Sequence, residues 1–263
     1  MESEIWQSLQ RRPVFLDGTN HPLEFDRSEV DRFYLPLADS ILKRKLPDRR
    51  MLVAVAGPPG CGKTAFAETL SSVINARSDV KCSLMVGLDG WHHPNAYLDT
   101  HAVTRDGKII SLRQIKGAPE TYDHEAIAAF LDRAPFVKNM TFPVYSREKH
   151  DPMPGLGVIG VEQRFLILEG NYWLLDSDPW LTFQNGFDYR IALTAAPQAL
   201  LDGLRNRHLR GGKPAEWIEE HLQRVDLANI DFVLSHSVPA DVVVEKADGR
   251  RIQSVVWQDQ SNR

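Results

Sequence analysis

From about residue 34 onward the chain alternates short, wholly apolar runs with longer stretches of helical period. That is the pattern of a parallel sheet flanked by helices. Six consecutive apolar residues at 51–56 predict a buried strand, and helical text follows from Lys63 to about Asn75. Further strands are expected at 82–88, 164–169 and 188–193, with a closing strand at 241–245. Asp123 is a good N-cap for a helix that places Ile127, Phe130 and Leu131 on one face. Pro197 and Pro214 sit where a first helical residue belongs, opening helices to about His208 and about His236.

Two regions break this rhythm. Residues 14–25 read as a small hairpin with an Asp17-Gly18 turn, which makes 1–33 an N-terminal extension outside the main sheet. Residues 89–122 and 143–160 read as long loops rich in Pro, Gly and His, and loops of that length usually carry function. The expectation is one α/β domain over 1–263, with a mostly parallel central sheet between helical layers.

Composition narrows the class without naming it. The 263 residues are 43% hydrophobic and 25% charged, which excludes disordered and collagen-like chains. A net charge of −4 supplies no field to hold nucleic acid by charge alone. Cys61 and Cys82 are too few for a disulfide framework or a zinc site, so a reducing cytosol is the simplest home. The N-terminal stretch is charged and lacks a signal peptide's apolar segment. The longest apolar runs fall far short of the roughly 20 residues a membrane helix needs. A cytoplasmic protein with no membrane partner is expected.

Chemistry enters at residues 57–64. Gly57-Pro58-Pro59-Gly60-Cys61-Gly62-Lys63-Thr64 fits G-x-x-x-x-G-K-[ST], with a strand before it and a helix after it. The glycines let successive backbone N–H groups converge, and the helix that begins with Lys63, Thr64 and Ala65 adds its positive end. Lys63 should reach the β- and γ-phosphates of ATP, and the Thr64 hydroxyl should ligate Mg²⁺. Cys61 lies beside Lys63 at a helix N-terminus, two features that lower a thiol pKa. A small residue that simply fits the loop is the stronger reading. A reactive Cys61 would alkylate readily and be protected by ATP.

Three further features fit a phosphoryl-transfer site. Asp89 ends the strand at 82–88, where a carboxylate can accept a proton from an attacking hydroxyl; it could also just cap the turn before Gly90. Glu169 ends the strand at 164–169, a place to position Mg²⁺ or to pair with an arginine. Arg205, Arg207, Arg210 and Lys213 surround a Gly211-Gly212 hinge, suiting a lid over 205–214 that closes on phosphates. A solvated basic face would look the same.

These motifs together resemble the P-loop kinases that include uridine kinase, phosphoribulokinase and type I pantothenate kinase. The resemblance is closest to bacterial nucleoside- or fructose-kinase-like proteins. It rests on YLPLADSIL, the phosphate loop, LDGWHHPNAYLD, KGAPETYD, PVYSREKHDP, LILEGNYWLLD and the Arg/Gly lid, from about Tyr34 to Glu245. It implies a three-layer P-loop NTPase fold and an ATP- and Mg²⁺-dependent kinase of small molecules. Lys63, Asp89 and Arg207 are then the catalytic residues, Thr64 and Glu169 the metal residues, and Arg205 and Arg210 further ATP contacts. His93, Lys116, Tyr145, Arg147, His150 and Asn229 join Asp89 on the acceptor side. Related kinases are often homodimers, although no heptad repeat appears in this chain.

Departures from the family pattern bear on the acceptor. Uridine kinase holds the ribose with an aspartate two residues before a motif proline; here Gly117 precedes Pro119. Pantothenate kinase has a histidine two residues after its motif tyrosine, where Arg147 follows Tyr145, and an aromatic where Leu204 stands. Arg147, Lys149 and His150 point instead to a negative or strongly polar acceptor, such as a sugar phosphate or hydroxy acid, unless they face ATP. Nucleoside or pantothenate phosphorylation stays as the alternative.

Two other classes compete. A nucleotide monophosphate kinase would need arginines more than the carboxylate Asp89. A guanine-reading switch would use Asn/Thr-Lys-x-Asp, for which Glu245-Lys246-Ala247-Asp248 is an imperfect match. His92, His93 and His101 have irregular spacing and read as pocket lining or loop packing. The scattered tryptophans Trp91, Trp173, Trp180 and Trp217 read as core or pocket walls.

Overall fold

A computed structural model describes residues 2–11, 22–44, 46–78, 80–105 and 107–258. Strands β1 (Met51–Ala56) and β2 (Ser83–Gly87) precede two excursions from the sheet. These are the hairpin β3 (Ala102–Arg105) and β4 (Lys108–Ser111), and the ribbon β5 (Met140–Ser146) and β6 (Asp151–Ile159). The chain returns as β7 (Phe165–Gly170), β8 (Tyr189–Ala195), β9 (Val242–Lys246) and β10 (Ile252–Trp257). The sheet order is β10-β9-β8-β1-β7-β2. β10 alone runs antiparallel to its neighbour.

The helices are α1 (Glu2–Arg11), α2 (Arg27–Glu29), α3 (Leu35–Lys43), α4 (Lys63–Ser78) and α5 (Asn95–Thr100). They continue as α6 (His124–Arg133), α7 (Trp180–Phe183), α8 (Pro197–Arg210), α9 (Ala215–His221) and α10 (Leu227–Ser235). Every β1 residue is buried because both faces of the sheet are covered. Met51, Val53 and Val55 join Ile5, Leu37, Phe66 and Leu200 in one core. Leu52, Ala54 and Ala56 join Ile127, Phe130, Trp173 and Trp180 in the other. The expected three-layer architecture is present. Asp123 caps α6 as predicted, its carboxylate accepting from the Ala126 N–H at 2.9 Å.

Several local expectations are corrected. The hairpin at 14–25 falls mainly on 12–21, outside the described residues. The described parts of the 1–33 extension include two helices, α1 and α2, and α1 buries Ile5 and Leu9 in the first core. The segment 143–160 is largely ribbon rather than loop. Its prolines and glycines argue against a central strand, but both strands of a two-stranded ribbon are edges, where a missing N–H costs little. The segment 89–122 likewise holds α5 and the β3–β4 hairpin. β9 does not close the fold, because β10 follows it on the sheet edge. Pro214 is the N-cap of α9 rather than its first residue, and a π-turn at Leu222–Asp226 interrupts the helix to Ser235.

Candidate active site

The order β1-β7-β2 brings three chemical groups to one edge. β1 runs into the phosphate loop, β7 ends with Glu169-Gly170, and β2 leads to Asp89. Glu169 stands in register with Val55 on one side and Gly87 on the other. Parallel pairing therefore places groups distant in sequence at one carboxyl-end crevice.

The loop conformation depends on its glycines. Gly60 and Gly62 take φ of +88° and +81°, and a Cβ at either would collide with the carbonyl oxygen of Leu200 or Gly249. Pro58 and Pro59 are buried, and α4 begins at Lys63. The Lys63 ammonium donates to the Pro58 carbonyl at 2.9 Å and lies 3.9 Å from the Cys61 sulfur. Cys61 is fully buried, and that burial pushes its thiol pKa up despite Lys63. The small-residue reading of Cys61 holds, and ready alkylation is no longer expected.

The first α4 turn carries Thr64 to Glu169. The Thr64 hydroxyl donates to the Glu169 carboxylate at 3.2 Å. Glu169 is buried, and desolvation, reinforced by the negative charge of Asp89, raises its pKa to about 7. A hydroxyl and a buried carboxylate with no arginine or lysine in ion-pair contact, among the described residues, form an oxygen donor set suited to Mg²⁺. The alternative pairing of Glu169 with an arginine is not seen among the described residues.

Asp89 lies on a 3-10 turn (Leu88–Trp91) that follows β2. Its side chain is 54% exposed, so solvent reaches it. Burial opposes ionisation, but His92, Arg147, the Tyr122 hydrogen bond and Arg207 together hold the pKa below the ordinary aspartate value. The Tyr122 hydroxyl donates to Asp89 Oδ1 at 3.1 Å. His92 Nδ1 lies 2.9 Å from the Asp89 carbonyl oxygen and 3.8 Å from Oδ1, with its ring against Tyr122 at 4.0 Å. Asp89 sits within its turn rather than capping it: Gly87 is the N-cap, the Asp89 carbonyl accepts from the His92 N–H at 3.2 Å, and the carboxylate stays accessible.

The predicted acceptor residues divide. Tyr145 faces His92 at 5.6 Å, and the Lys116 ammonium lies 5.1 Å from the Tyr145 ring centre. Lys116 also donates to the His150 carbonyl and the Asn95 side-chain oxygen, both at 2.7 Å. The Arg147 charge acts on Asp89, Tyr145 and Glu169. His150 contributes through its carbonyl at a φ of +52°, while its side chain is exposed. His93 stacks on Tyr97, which stacks on His101, making a ring column along α5. Asn229 is on α10, half-buried, with no hydrogen bond to this group among the described residues.

The lid residues occupy the end of α8 and the Gly211-Gly212 turn. Arg207 is exposed, and its charge is felt at Asp89. Arg205 is engaged elsewhere, bonding Glu219 at 2.7 and 3.0 Å and Asp202 at 3.0 Å. Arg210 donates to the Asn206 carbonyl at 3.3 Å. The guanine-like tetrapeptide is also committed: Asp248 accepts from the backbone N–H groups of Arg250 and Arg251, and the Lys246 ammonium is buried against the Arg250 carbonyl.

No protein-family model matches the chain. The Escherichia coli protein named "Uncharacterized protein YggC" is 30% identical over 238 residues, covering 90% of this chain and 95% of its own length. The Schizosaccharomyces pombe protein named "Putative uridine kinase C227.14" is 28% identical over 228 residues, covering 84% and 92%. The crystal structure of a "putative fructose transport system kinase" from Silicibacter sp. TM1040 has 30% identity and a TM-score of 0.71, covering 80% of this chain and 98% of that one. The chain belongs to the P-loop kinases.

As a member of that superfamily the protein is a phosphotransferase with an alcohol acceptor, and its relatives imply ATP and a small-molecule substrate. No described helix of this kinase is long and apolar enough to cross a membrane. Sequence reasoning missed two groups around Asp89. Tyr122 lies within the KGAPETYD segment, just before the α6 N-cap, but only the fold brings it to a carboxylate 33 residues away. His92 was grouped with loop histidines; its burial beside Asp89 sets it apart from exposed His101.

Proposed function

We propose that this kinase transfers the γ-phosphoryl group of ATP to a hydroxyl of a small, negatively charged or strongly polar metabolite: a sugar, sugar derivative or hydroxy acid. The observation that carries the reading is the Asp89 carboxylate. It is kept ionised, accessible, and bonded on one oxygen by Tyr122, at the same sheet edge as the phosphate loop. An ionised carboxylate can take the acceptor's proton as its oxygen attacks, a role contributing about 10²–10⁴-fold.

The loop N–H groups and Lys63 would bind the phosphates, with Arg207 reaching the transferred group from α8. Thr64 and Glu169 would hold Mg²⁺, which would supply charge neutralisation to the phosphates. Tyr145, Lys116 and Arg147 would orient the acceptor, and the positive charge of Lys116 and Arg147 favours an anionic one. A nucleoside acceptor, suggested by the name of the fission-yeast relative, fits less well. Gly117 takes a φ of +100°, a conformation that an aspartate rarely adopts, so the ribose-holding carboxylate has no place there.

The test is an ATP-consumption screen over sugars, sugar acids, nucleosides, pantothenate and their phosphates, with Asp89→Asn as control. Turnover with a polar acceptor that Asp89→Asn loses supports the reading. Efficient turnover of an uncharged nucleoside, or of a nucleotide monophosphate, would replace it.

A further inference from the structure

Beyond the phosphate loop and Asp89, three metal-ligating side chains from three segments converge. His208 is on α8, His221 ends α9, and Asp226 ends the π-turn that follows. One nitrogen of each histidine and one carboxylate oxygen all lie within 4.8 Å of one another, the sole such three-residue group among the described residues. His208 Nε2 is 3.0 Å and His221 Nε2 4.0 Å from the same Asp226 oxygen. We propose that His208, His221 and Asp226 bind a divalent transition-metal ion of the zinc type, which clamps the lid helix α8 to the α9–α10 arm.

The backbone is shaped to make this group. His221 and Asp226 are five residues apart, and a regular helix would set them about 140° around its axis from each other. The π-turn absorbs one residue through its bond from the Leu227 N–H to the Leu222 carbonyl. Asp226 is thereby brought to about the position of an i+4 neighbour, on the face of His221. Such turns are rare and recur at functional sites.

The charges and rings agree. The Asp226 side chain is only 7% exposed, and among the described residues its ion-pair partners are the two histidines. A dication held between this buried carboxylate and the two imidazoles would supply it with a counter-charge. A simple His–Asp pair would need only His208. The His221 ring makes no hydrogen bond among the described residues, yet Trp217 holds it in place, stacked at 4.5 Å and 13°. Two imidazoles and a carboxylate form a three-ligand zinc set that leaves a position for water. In such a site the ligand atoms would stand about 3.3 Å apart, so the group, now at 3.0 and 4.0 Å from the two histidines to the carboxylate and within 4.8 Å overall, would have to draw together on the ion. The site is chemically distinct from Thr64–Glu169, whose all-oxygen set suits Mg²⁺.

The test is titration of the chelator-treated full-length protein with Co²⁺, followed by its visible ligand-field absorption, and with Zn²⁺ against a chromogenic chelator. The expected result is one ion per chain, bound in the presence of excess Mg²⁺. Affinity should fall about a hundredfold in His221→Ala and Asp226→Asn and be unchanged in Thr64→Val. Zn²⁺ should also raise the melting temperature of the wild type and not that of His221→Ala, which removes a partly exposed side chain and should still fold. If wild type and His221→Ala take up Co²⁺ alike, or if neither does, the site assignment is overturned.

Discussion

The Tyr122 hydroxyl donates a hydrogen bond to the Asp89 carboxylate at 3.1 Å, joining the end of the KGAPETYD segment to the turn after β2. Tyr122 is buried, and burial together with the Asp89 charge raises its pKa well above the usual tyrosine value. The tyrosine therefore stays protonated at any working pH and always donates. That bond fixes one carboxylate oxygen and leaves the other for the acceptor. A hydrogen bond to a charged group contributes about 1.5–3 kcal/mol. Tyr122→Phe should lower kcat roughly tenfold or more and move the acid limb of the pH–rate profile upward, because Asp89 becomes easier to protonate. Unchanged profile and rate would show the bond to be structural only.

Asp89→Asn separates chemistry from nucleotide binding. The amide matches the carboxylate in size but cannot take a proton, so transfer should fall by about 10²–10⁴-fold while ATP affinity by calorimetry stays close to wild type. Lys63→Ala should instead weaken ATP binding or transfer whatever the acceptor. A near-normal rate in Asp89→Asn would remove the base assignment.

How far the site could be read from the sequence depended on how local each feature was. β1 and β7 declare themselves because six consecutive positions are apolar, or nearly so, and both faces are covered. Lys63 and Thr64 are legible because the loop motif is contiguous, and Asp89 and Glu169 because each ends an apolar run. The β5–β6 ribbon was hidden by Pro143, Pro152 and Pro154, which suit edge strands and so imitate a loop. Tyr122 and His92 were hidden because their role depends on tertiary contact. The His208–His221–Asp226 group was hidden because helical periodicity separates His221 from Asp226 until a π-turn is inserted.

Arg205 and Arg207 are two residues apart on α8 but face different partners. Arg205 is held by Glu219 and Asp202, whereas the charge of Arg207 reaches Asp89. Arg207→Ala should therefore cut kcat by about a hundredfold or more, as expected for loss of a group stabilising transferred charge. Arg205→Ala should leave stability almost unchanged, as expected for exposed, solvent-screened pairs, with kcat within a few-fold. Equal losses of kcat in both variants would show that α8 rearranges and recruits Arg205 as well.

The two cysteines give a direct probe of the loop. Cys61 and Cys82 are both free and buried, and burial raises the Cys61 thiol pKa. Alkylation of the native protein at neutral pH should be slow for both and accelerate only with denaturant. Rapid labelling of Cys61 that ATP blocks would show instead that the thiol faces the nucleotide.

Glu169 ties stability to pH in the metal-free protein. Its folded pKa of about 7 lies above the unfolded value of 4.5, so between these limits the folded state holds the extra proton. Stability contributed by that proton is full below about pH 4.5 and declines as pH rises through 7, a total of up to about 3 kcal/mol. With a chelator present, denaturant midpoints should fall across this window in wild type. Glu169→Gln, which keeps an acceptor for the Thr64 hydroxyl but no charge, should flatten the decline and be the more stable protein at pH 8. It should also be the poorer enzyme, since the charge that strains the empty site is the one a bound cation would neutralise. A wild-type profile as flat as the variant's would place the Glu169 pKa in the ordinary carboxylate range.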